Sequence, residues 1–220
     1  MFDVVTVGSA TVDAFVNTGS KLFKKSRFKQ SVSVPFGSKI VIDDLKFHIG
    51  GGGTNTAVAL SRLGFKTAYI GSVGLGTNSS RVLSLLKKEK VDTSFVQREE
   101  GRTGFSIILD AYGHDRTILT FKGNNDQLDF DKIDKSKLNT KWFYFSSLLN
   151  KSFETQKKLV DFAVNHKIKI AYNPSSYLAK KGAKYIEHIL KRTDLLVLNK
   201  CVCRMLFTTV IFLSNFLILK

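Results

Sequence analysis

Cysteine and proline are scarce in this 220-residue sequence, and several other signs of a non-globular chain are missing. Two Pro, and 16 Gly without a three-residue period, exclude collagen-like and proline-rich sequences. Cys201 and Cys203 are too few for a disulfide framework, and no further Cys or His cluster accompanies them to make a zinc site. No basic segment precedes the first apolar stretch, so no signal peptide is expected. Together these absences predict a protein of a reducing compartment, the cytoplasm.

Acidic residues are also few, with 18 Asp and Glu against 34 Lys and Arg and a formal net charge of +16. Such a surplus suits anionic partners, among them nucleotides, phosphorylated metabolites, nucleic acid and acidic membranes. The basic residues occur in pairs such as Lys24-Lys25 and Lys180-Lys181, however, and not in long blocks. No RNP-like aromatic motif is present. The charge therefore predicts a lysine-rich solvated surface and no nucleic-acid partner.

Short apolar runs alternate with segments of helical periodicity along most of the chain. We predict strands at residues 2–7, 66–73, 168–172 and 194–198, and helices at residues 54–63, 78–89, 153–166 and 182–190. Gly64 is expected to end the first helix. Strands buried on both faces and separated by helices are typical of an α/β fold with a largely parallel sheet.

Two segments do not follow this alternation. Residues 14–47 are polar, and residues 103–121 are typical of a β-hairpin with a turn at residues 112–115. We expect the two segments to form a few antiparallel strands outside the main sheet, as a small lid over one edge.

The last residues differ in composition from the rest of the chain. Residues 205–219 are almost wholly apolar, but fifteen residues are fewer than the roughly 20 that a membrane helix needs. A helix that is apolar all round is either buried or interfacial. The composition leaves open a membrane contact, an altered reading frame and a foreign end.

A run of four glycines carries the strongest chemical signal. Gly50, Gly51, Gly52 and Gly53 follow an extended segment and precede the first predicted helix, with Asn55 at its start. Glycines allow a close approach of the backbone to a ligand, and free N–H groups at a helix start favour an anionic or oxygen-rich one. The alternative is a tight turn in which Thr54 or Asn55 caps the helix.

The order and spacing of the motifs resemble the ribokinase-like (PfkB-type) family of carbohydrate and nucleoside kinases. After the Gly-Gly-Thr-Asn-Thr-Ala run, six residues lead to Gly64 and nine more to Gly74. The resemblance covers roughly residues 2–200 and extends to further motifs, which are Val7-Gly8-Ser9, Asp13, Thr103-Gly104, the turn at residues 113–117 and Asn199.

This resemblance implies a three-layer α/β/α fold with a small β lid formed by residues 14–47 and 103–121. It implies ATP-dependent phosphorylation of a sugar or nucleoside hydroxyl, with Mg²⁺, and a homodimer formed through the lid. Asp13 would accept hydrogen bonds from sugar hydroxyls. Gly50 and Gly51 would form a hinge, and the substrate pocket would be lined by Gly52, Gly53 and Asn55. Asn199 would help to organise Mg²⁺ and the phosphates of ATP.

The sequence departs from the family pattern at its end. The Gly-Ala-Gly-Asp-type motif that carries the family's catalytic base and anion hole is not found, and Val202 stands where the acid of Asn-x-x-Glu is expected. We therefore assign no catalytic residue and no protein metal ligand. We expect residues 1–200 to be an incomplete kinase core, residues 201–220 to be an unrelated apolar tail, and activity to be impaired.

Two other functions remain open at this point. A non-catalytic fragment that binds sugars or dimerises would also account for the missing motif. A dinucleotide-binding protein is the second alternative, because the segment 74–79 follows a strand, opens a helix and precedes Asp92 by the required distance.

The four histidines are expected at the surface or in packing, and Trp142 and most Phe residues in the core. The Asn173-Pro174-Ser175 segment is expected to be a turn.

Overall fold

The fold alternates strands and helices, with a second group of strands near the N-terminus. The structure is a computed structural model, and it describes residues 1–17, 23–25, 30–110, 116–207 and 216–219. The strands are β1 (Phe2–Val7), β2 (Thr11–Asn17), β3 (Phe23–Lys25), β4 (Gln30–Val32), β5 (Asp44–Gly50), β6 (Thr67–Val73), β7 (Val96–Arg98), β8 (Gly104–Asp110), β9 (Thr117–Phe121), β10 (Thr140–Ser146), β11 (Lys169–Asn173), β12 (Leu195–Asn199) and β13 (Phe216–Leu219). The helices are α1 (Gly52–Arg62), α2 (Thr77–Lys88), α3 (Asn150–Asn165), α4 (Ser175–Ala179), α5 (Glu187–Leu190) and α6 (Lys200–Leu206), with 3-10 turns at Gly123–Asp126 and Lys135–Lys137.

A large sheet of seven parallel strands forms the centre of the molecule. Its order is β13-β12-β11-β10-β1-β6-β7, and every pair of neighbours is parallel. In this order all the strands end at the same edge of the sheet, so the loops after β1, β10, β11 and β12 lie side by side. In open parallel sheets this carboxyl edge is where ligands bind.

Apolar residues on both faces of the large sheet form two clusters. On one face, Tyr69, Val73, Ala57, Val82 and Leu86 pack together and bring in helices α1 and α2. On the other face, strand residues pack against α3 and the shorter helices; examples are Ile70, Phe143, Phe145, Leu159 and Ile170. Burial on both faces confirms the predicted three-layer α/β/α fold with a largely parallel sheet.

Helix α1 ends as the sequence predicts. Gly64 has a φ of +90°, which glycine adopts without strain. Its N–H donates to the Ser61 carbonyl at 2.9 Å, and the Phe65 N–H donates to the Leu60 carbonyl at 3.1 Å. This pair of bonds is the Schellman ending of a helix.

A small sheet of four strands, in the order β5-β2-β8-β9, lies outside the large one. The pairs β2–β5 and β8–β9 are antiparallel, but β2 and β8 run parallel, which corrects the expectation of an all-antiparallel group. Thr11 pairs with both Gly50 and Gly104, so the first segment of the small sheet extends from residue 11 to residue 50, beyond the predicted bounds of 14–47. The turn predicted at residues 112–115 lies outside the described residues.

Several local predictions were wrong. Residues 182–190 form a series of turns and the short helix α5, because successive N–H groups bond to carbonyls three residues earlier, as from Tyr185 to Gly182. The prediction omitted β7 and β10. Trp142 is half-buried, and Phe36 and Phe47 are exposed, so the aromatic residues are only partly in the core.

The apolar end of the chain is not one helix. Helix α6 ends at Leu206, and Phe216–Leu219 forms β13 beside β12 at the edge of the large sheet. Parallel strands of the large sheet are apolar because both faces are covered, so an apolar segment suits this position. Within the described ranges, none of the helices has the length and apolar character that crossing a membrane requires.

Candidate functional site

The glycine run joins the last residue of β5 to the first turn of α1. Gly51 lies at this junction with a φ of +107° and immediately precedes the helix. A Cβ atom at Gly51 would overlap the carbonyl oxygen of Ser9. Both the backbone angle and the close contact therefore require glycine at this position.

Ser9 occupies the helix N–H groups that the sequence suggested would be free. The Gly52 N–H donates to Ser9 Oγ at 3.1 Å, and the Gly53 and Thr54 N–H groups donate to the Ser9 carbonyl at 3.1 and 3.4 Å. The expectation that these groups await an anion is wrong, because the loop after β1 folds back over the start of α1. Neither Thr54 nor Asn55 caps the helix through its side chain, so the cap alternative fails too.

Asp13 lies on β2, in the small sheet. It pairs with His48 on β5 and with Ser106 on β8, so the three side chains share one face of the small sheet. A Cβ atom at Gly50 would overlap Asp13 Oδ2, which places the carboxylate directly over the glycine run. The structure therefore brings Asp13 and Gly50 together.

One oxygen of the Asp13 carboxylate has no hydrogen-bond partner among the described residues. Oδ1 is buried, and it accepts no hydrogen bond from any residue that the structure describes. A buried acceptor without a donor costs about 1–3 kcal/mol, and more when it is charged. Oδ1 therefore has room in its hydrogen bonding for a donor from outside the described residues.

Ser146 is a residue of this region that the sequence prediction missed. It ends β10, and its buried Oγ has no partner among the described residues. A Cβ atom at Gly52 would lie 2.7 Å from this Oγ, and one at Gly8 would overlap it. The Gln156 amide donates to the Ser146 carbonyl at 2.8 Å and fixes the end of the strand. The signal available in the sequence was a polar pair, Ser146-Ser147, closing an aromatic run.

Gly8 and Gly53 are held close together by a buried tyrosine. The Tyr69 hydroxyl donates to the Gly8 carbonyl at 2.9 Å, and a Cβ atom at Gly53 would lie 2.6 Å from Tyr69 Cε2. Burial raises the pKa of Tyr69 well above its usual range, because the phenolate would lose its hydration. The ring therefore stays neutral and packs the end of β1 against α1.

Asn55 is exposed and lines a cavity of about 540 Å³ between β5, α1 and α2. His48, the cross-strand partner of Asp13, lines the same cavity. The His48 ring also contacts the Phe15 ring edge to face, with 5.4 Å between the centroids. His48 was expected to be a surface or packing residue, and it is exposed. It also lines the same cavity as Asn55 and lies beside Asp13 on the small sheet.

Asn199 lies apart from the residues around Asp13. It ends β12, which β11 and β10 separate from β1, and its Oδ1 accepts a hydrogen bond from the Val202 N–H at 2.8 Å. The amide oxygen thus caps α6. In the described part of the chain, no three His, Cys, Asp or Glu side chains come close enough to hold a metal ion. These described residues alone do not form a carboxylate site for Mg²⁺.

The segment considered for dinucleotide binding has a local structural role. Asp92, the acid of that interpretation, accepts hydrogen bonds from the Ser94 N–H and hydroxyl at 2.9 and 2.6 Å. A Cβ atom at Gly74 would lie 2.8 Å from the Thr103 nitrogen and would overlap the Gly101 carbonyl oxygen. Close packing of two loops is therefore sufficient to explain that glycine.

Comparisons with known proteins found a family model and relatives that match much of the chain. The model of the family described as pfkB family carbohydrate kinase matches residues 1–201. An uncharacterized sugar kinase of Archaeoglobus fulgidus is 33% identical over 156 residues, which are 69% of this chain and 61% of that protein. The 5-dehydro-2-deoxygluconokinase of Mesomycoplasma hyopneumoniae strain 232 is 27% identical over 214 residues, which are 89% of this chain and 57% of that protein. The chain thus spans about three-fifths of the length of these two relatives.

Solved structures share the fold at low sequence identity. Arabidopsis thaliana ribokinase complexed with ribose and ATP has a TM-score of 0.76 at 17% identity, covering 96% of this chain and 65% of its own. Burkholderia thailandensis nucleoside kinase in complex with inosine has a TM-score of 0.73 at 11% identity, covering 92% of this chain and 62% of its own. These likenesses concern the architecture.

Proposed function

Because the chain belongs to the pfkB family of carbohydrate kinases, we propose that it binds a sugar or nucleoside for ATP-dependent phosphorylation of a hydroxyl. The observation that carries this proposal is the buried, unpartnered Oδ1 of Asp13 over the glycine run. A carboxylate is an acceptor only, and substrate hydroxyls are the donors that it lacks.

In this proposal Asp13 orients the substrate and the glycine run gives it room. Two hydroxyls of one sugar can bond to the two carboxylate oxygens, which fixes the ring relative to the small sheet. The lack of side chains at Gly50 and Gly52 lets the substrate approach the backbone beside Ser146. Gly51 serves as the proposed hinge, Gly53 keeps α1 close to the end of β1, and Asn55 lines the neighbouring cavity.

The small sheet is the proposed lid, with residues 14–47 and 103–121 as its main parts. A lid over the substrate excludes water, so that the phosphoryl group goes to the sugar hydroxyl and not to water. ATP, when bound, supplies this phosphoryl group, and Mg²⁺ accompanies it by family resemblance. Asn199, at the carboxyl edge, is the proposed contact for the ATP phosphates through its amide. No residue of the chain is assigned as the base.

One face of the small sheet supports the proposed homodimer through the lid. Phe47, Ile107 and Leu119 are in register, so they point to the same face, and they are 51%, 38% and 56% exposed. Contiguous exposed apolar side chains are typical of interaction surfaces. The sedimentation coefficient of the purified chain tests this point, and a monomer at all concentrations would contradict it.

The binding proposal is tested by titration calorimetry of the chain with D-ribose, D-fructose and inosine. We expect at least one of the three to bind, and we expect Asp13→Asn to weaken that binding by at least about tenfold, because a neutral amide replaces a charged acceptor. Asp13→Asn should not lower the melting temperature, since Oδ1 has no partner to lose. Asp131→Asn, at an exposed position, is the matched control and should bind as the wild type does.

ADP release in a coupled assay then separates the two functions considered. Sugar binding with ADP release supports a kinase, whereas sugar binding without it supports the non-catalytic sugar-binding alternative. No binding of any of the three compounds, or equal binding by Asp13→Asn, would contradict the role given to Asp13.

A further inference from the structure

The chain crosses four times between the large layer and the small sheet. The crossings are residues 8–10, Gly51, residues 99–103 and residues 122–123. Two neighbouring asparagines, Asn124 and Asn125, lie among them and are only 4% and 2% exposed. Asparagine is seldom so deeply buried unless its amide is fully used.

The amide of Asn125 holds the crossing that leads into β2. Its Oδ1 accepts from the Ala10 N–H at 2.8 Å, and its Nδ2 donates to the Ala10 carbonyl at 2.8 Å. The same Nδ2 donates to the Lys122 carbonyl at 3.0 Å, just after β9. A Cβ atom at Gly104, the first residue of β8, would overlap Nδ2. One side chain therefore touches the ends of three of the four strands of the small sheet.

Asn124 binds the crossing at residues 99–103, which leads into β8. Its Nδ2 lies within hydrogen-bond distance of the carbonyls of Val73, Glu99 and Glu100, at 3.3, 3.0 and 3.0 Å. Its backbone N–H donates to the Arg102 carbonyl at 2.9 Å. Asn124 and Asn125 thus bind both crossings that lead into the small sheet, residues 8–10 and residues 99–103.

The segment after these asparagines is fixed to the large layer. Gln97, on β7, makes two bonds with the Asp129 backbone at 2.6 and 2.8 Å. Two side chains of α3, Ser152 and Thr155, bond to the N–H and carbonyl of Leu128 at 2.8 and 2.7 Å. Asn125 therefore reaches the small sheet from a support that belongs to the large layer.

We propose that Asn125 is a positioning residue that sets the small sheet, and with it Asp13, relative to the glycine run. Asp13 lies on β2, three residues after Ala10, which directly precedes that strand, so a shift of Ala10 would also displace the carboxylate that lies over Gly50. The effect on substrate rests on the proposed function, because it takes Asp13 as the substrate ligand. The effect on the small sheet does not depend on any substrate.

The variant Asn125→Asp tests this role with almost no change of size. It keeps the acceptor for the Ala10 N–H but turns an oxygen toward the Ala10 and Lys122 carbonyls. We expect amide hydrogen exchange of β2 and β8 to become at least about tenfold faster, with exchange of β1, β6 and β10 unchanged. Asn139→Asp, the same chemical change at an exposed position, should alter neither sheet.

Binding of D-ribose, D-fructose and inosine is measured on the same variants. Any of these that the wild type binds should bind at least about tenfold more weakly to Asn125→Asp and unchanged to Asn139→Asp. If the wild type binds none of them, the proposed function fails, and the exchange experiment alone decides the role of Asn125.

Two results would overturn the proposal. Unchanged exchange in β2 and β8 would show that Asn125 does not hold the small sheet, and equally faster exchange in both sheets would show general destabilisation instead of positioning. Should Asn125→Asp not fold, Gly104→Ala displaces the same amide from the opposite side. The same two outcomes decide the proposal with that variant.

Discussion

The large and small sheets contain similar apolar residues but place them in different surroundings. All seven residues of β6 are buried, whereas four of the five residues of β9 are exposed. Helices cover both faces of the large sheet, and apolar side chains such as Phe47 and Leu119 of the small sheet remain open to solvent. The large sheet is therefore held by packing, and the small sheet depends more on its backbone ladder and on the buried amides at its crossings.

The largest expected effect is on packing in the large sheet. Phe145→Ala, at a fully buried position on β10, should lower the free energy of unfolding by about 3–5 kcal/mol, because it leaves a cavity. Leu119→Ala, on the small sheet and 56% exposed, should change it by no more than about 0.5 kcal/mol. Chemical denaturation of both variants measures the difference, and equal losses would show that the two sheets are packed alike.

An intermediate effect is expected where the two regions meet. Gly51→Ala and Gly64→Ala both place a Cβ at positive φ, but only the first meets the Ser9 carbonyl, since no atom lies within 4 Å of the second. We expect a loss of about 1 kcal/mol at Gly64 from the backbone angle and about 1–3 kcal/mol more at Gly51 from the overlap. Thermal unfolding compares the two, and a smaller loss at Gly51 would mean that the junction relaxes freely.

The smallest effect concerns acid stability. A hydrogen bond from Lys141 lowers the pKa of Asp3 at the amino end of the large sheet, and one from Lys46 lowers that of Asp44 on the small sheet. A lowered pKa in the folded state adds stability above the unfolded value of 3.8, and this is lost as pH falls through the folded value.

Asp3→Asn should therefore reduce the loss of global stability that occurs as pH decreases below about pH 4, where the carboxylates titrate. Asp44→Asn should reduce this loss less, because among the described residues the Asp44 side chain bonds only to Leu45 and Lys46 of its own strand. Denaturation midpoints measured from pH 2 to pH 6 check this. A larger change for Asp44→Asn would show that the small sheet contributes equally to global unfolding.

Much of the large layer could be predicted from the sequence because its signals are local. Residues 2–7 and 66–73 are apolar enough to indicate buried strands, and Gly64 marks the end of α1. The failures were in segments whose structure depends on distant partners. Strand β10 carries Trp142 among its apolar residues and shows no simple alternation, and the turns at residues 182–190 have the composition of a helix.

The candidate site was predicted as a set of residues but not as an arrangement. The glycine run and Asp13 could be recognised because their spacing matches a family pattern. The occupation of the α1 N–H groups by Ser9 could not be predicted, since Ser9 lies 43 residues from Gly52. Ser146 and Asn125 were missed for the same reason, because their positions depend on contacts with Gly8, Gly52 and Ala10, which lie far from them in the chain.

The family, the alternation of strands and helices and the glycines of the α1 junction follow from the amino-acid sequence alone, because they depend on periodicity and on residue types with few conformational alternatives. The three-dimensional arrangement was needed to show that Asp13 lies on the small sheet, with one oxygen that has no partner among the described residues, and that two buried asparagines join that sheet to the large layer. Hydrogen bonds between residues far apart in the chain depend on how the strands are ordered, and no local pattern encodes that order.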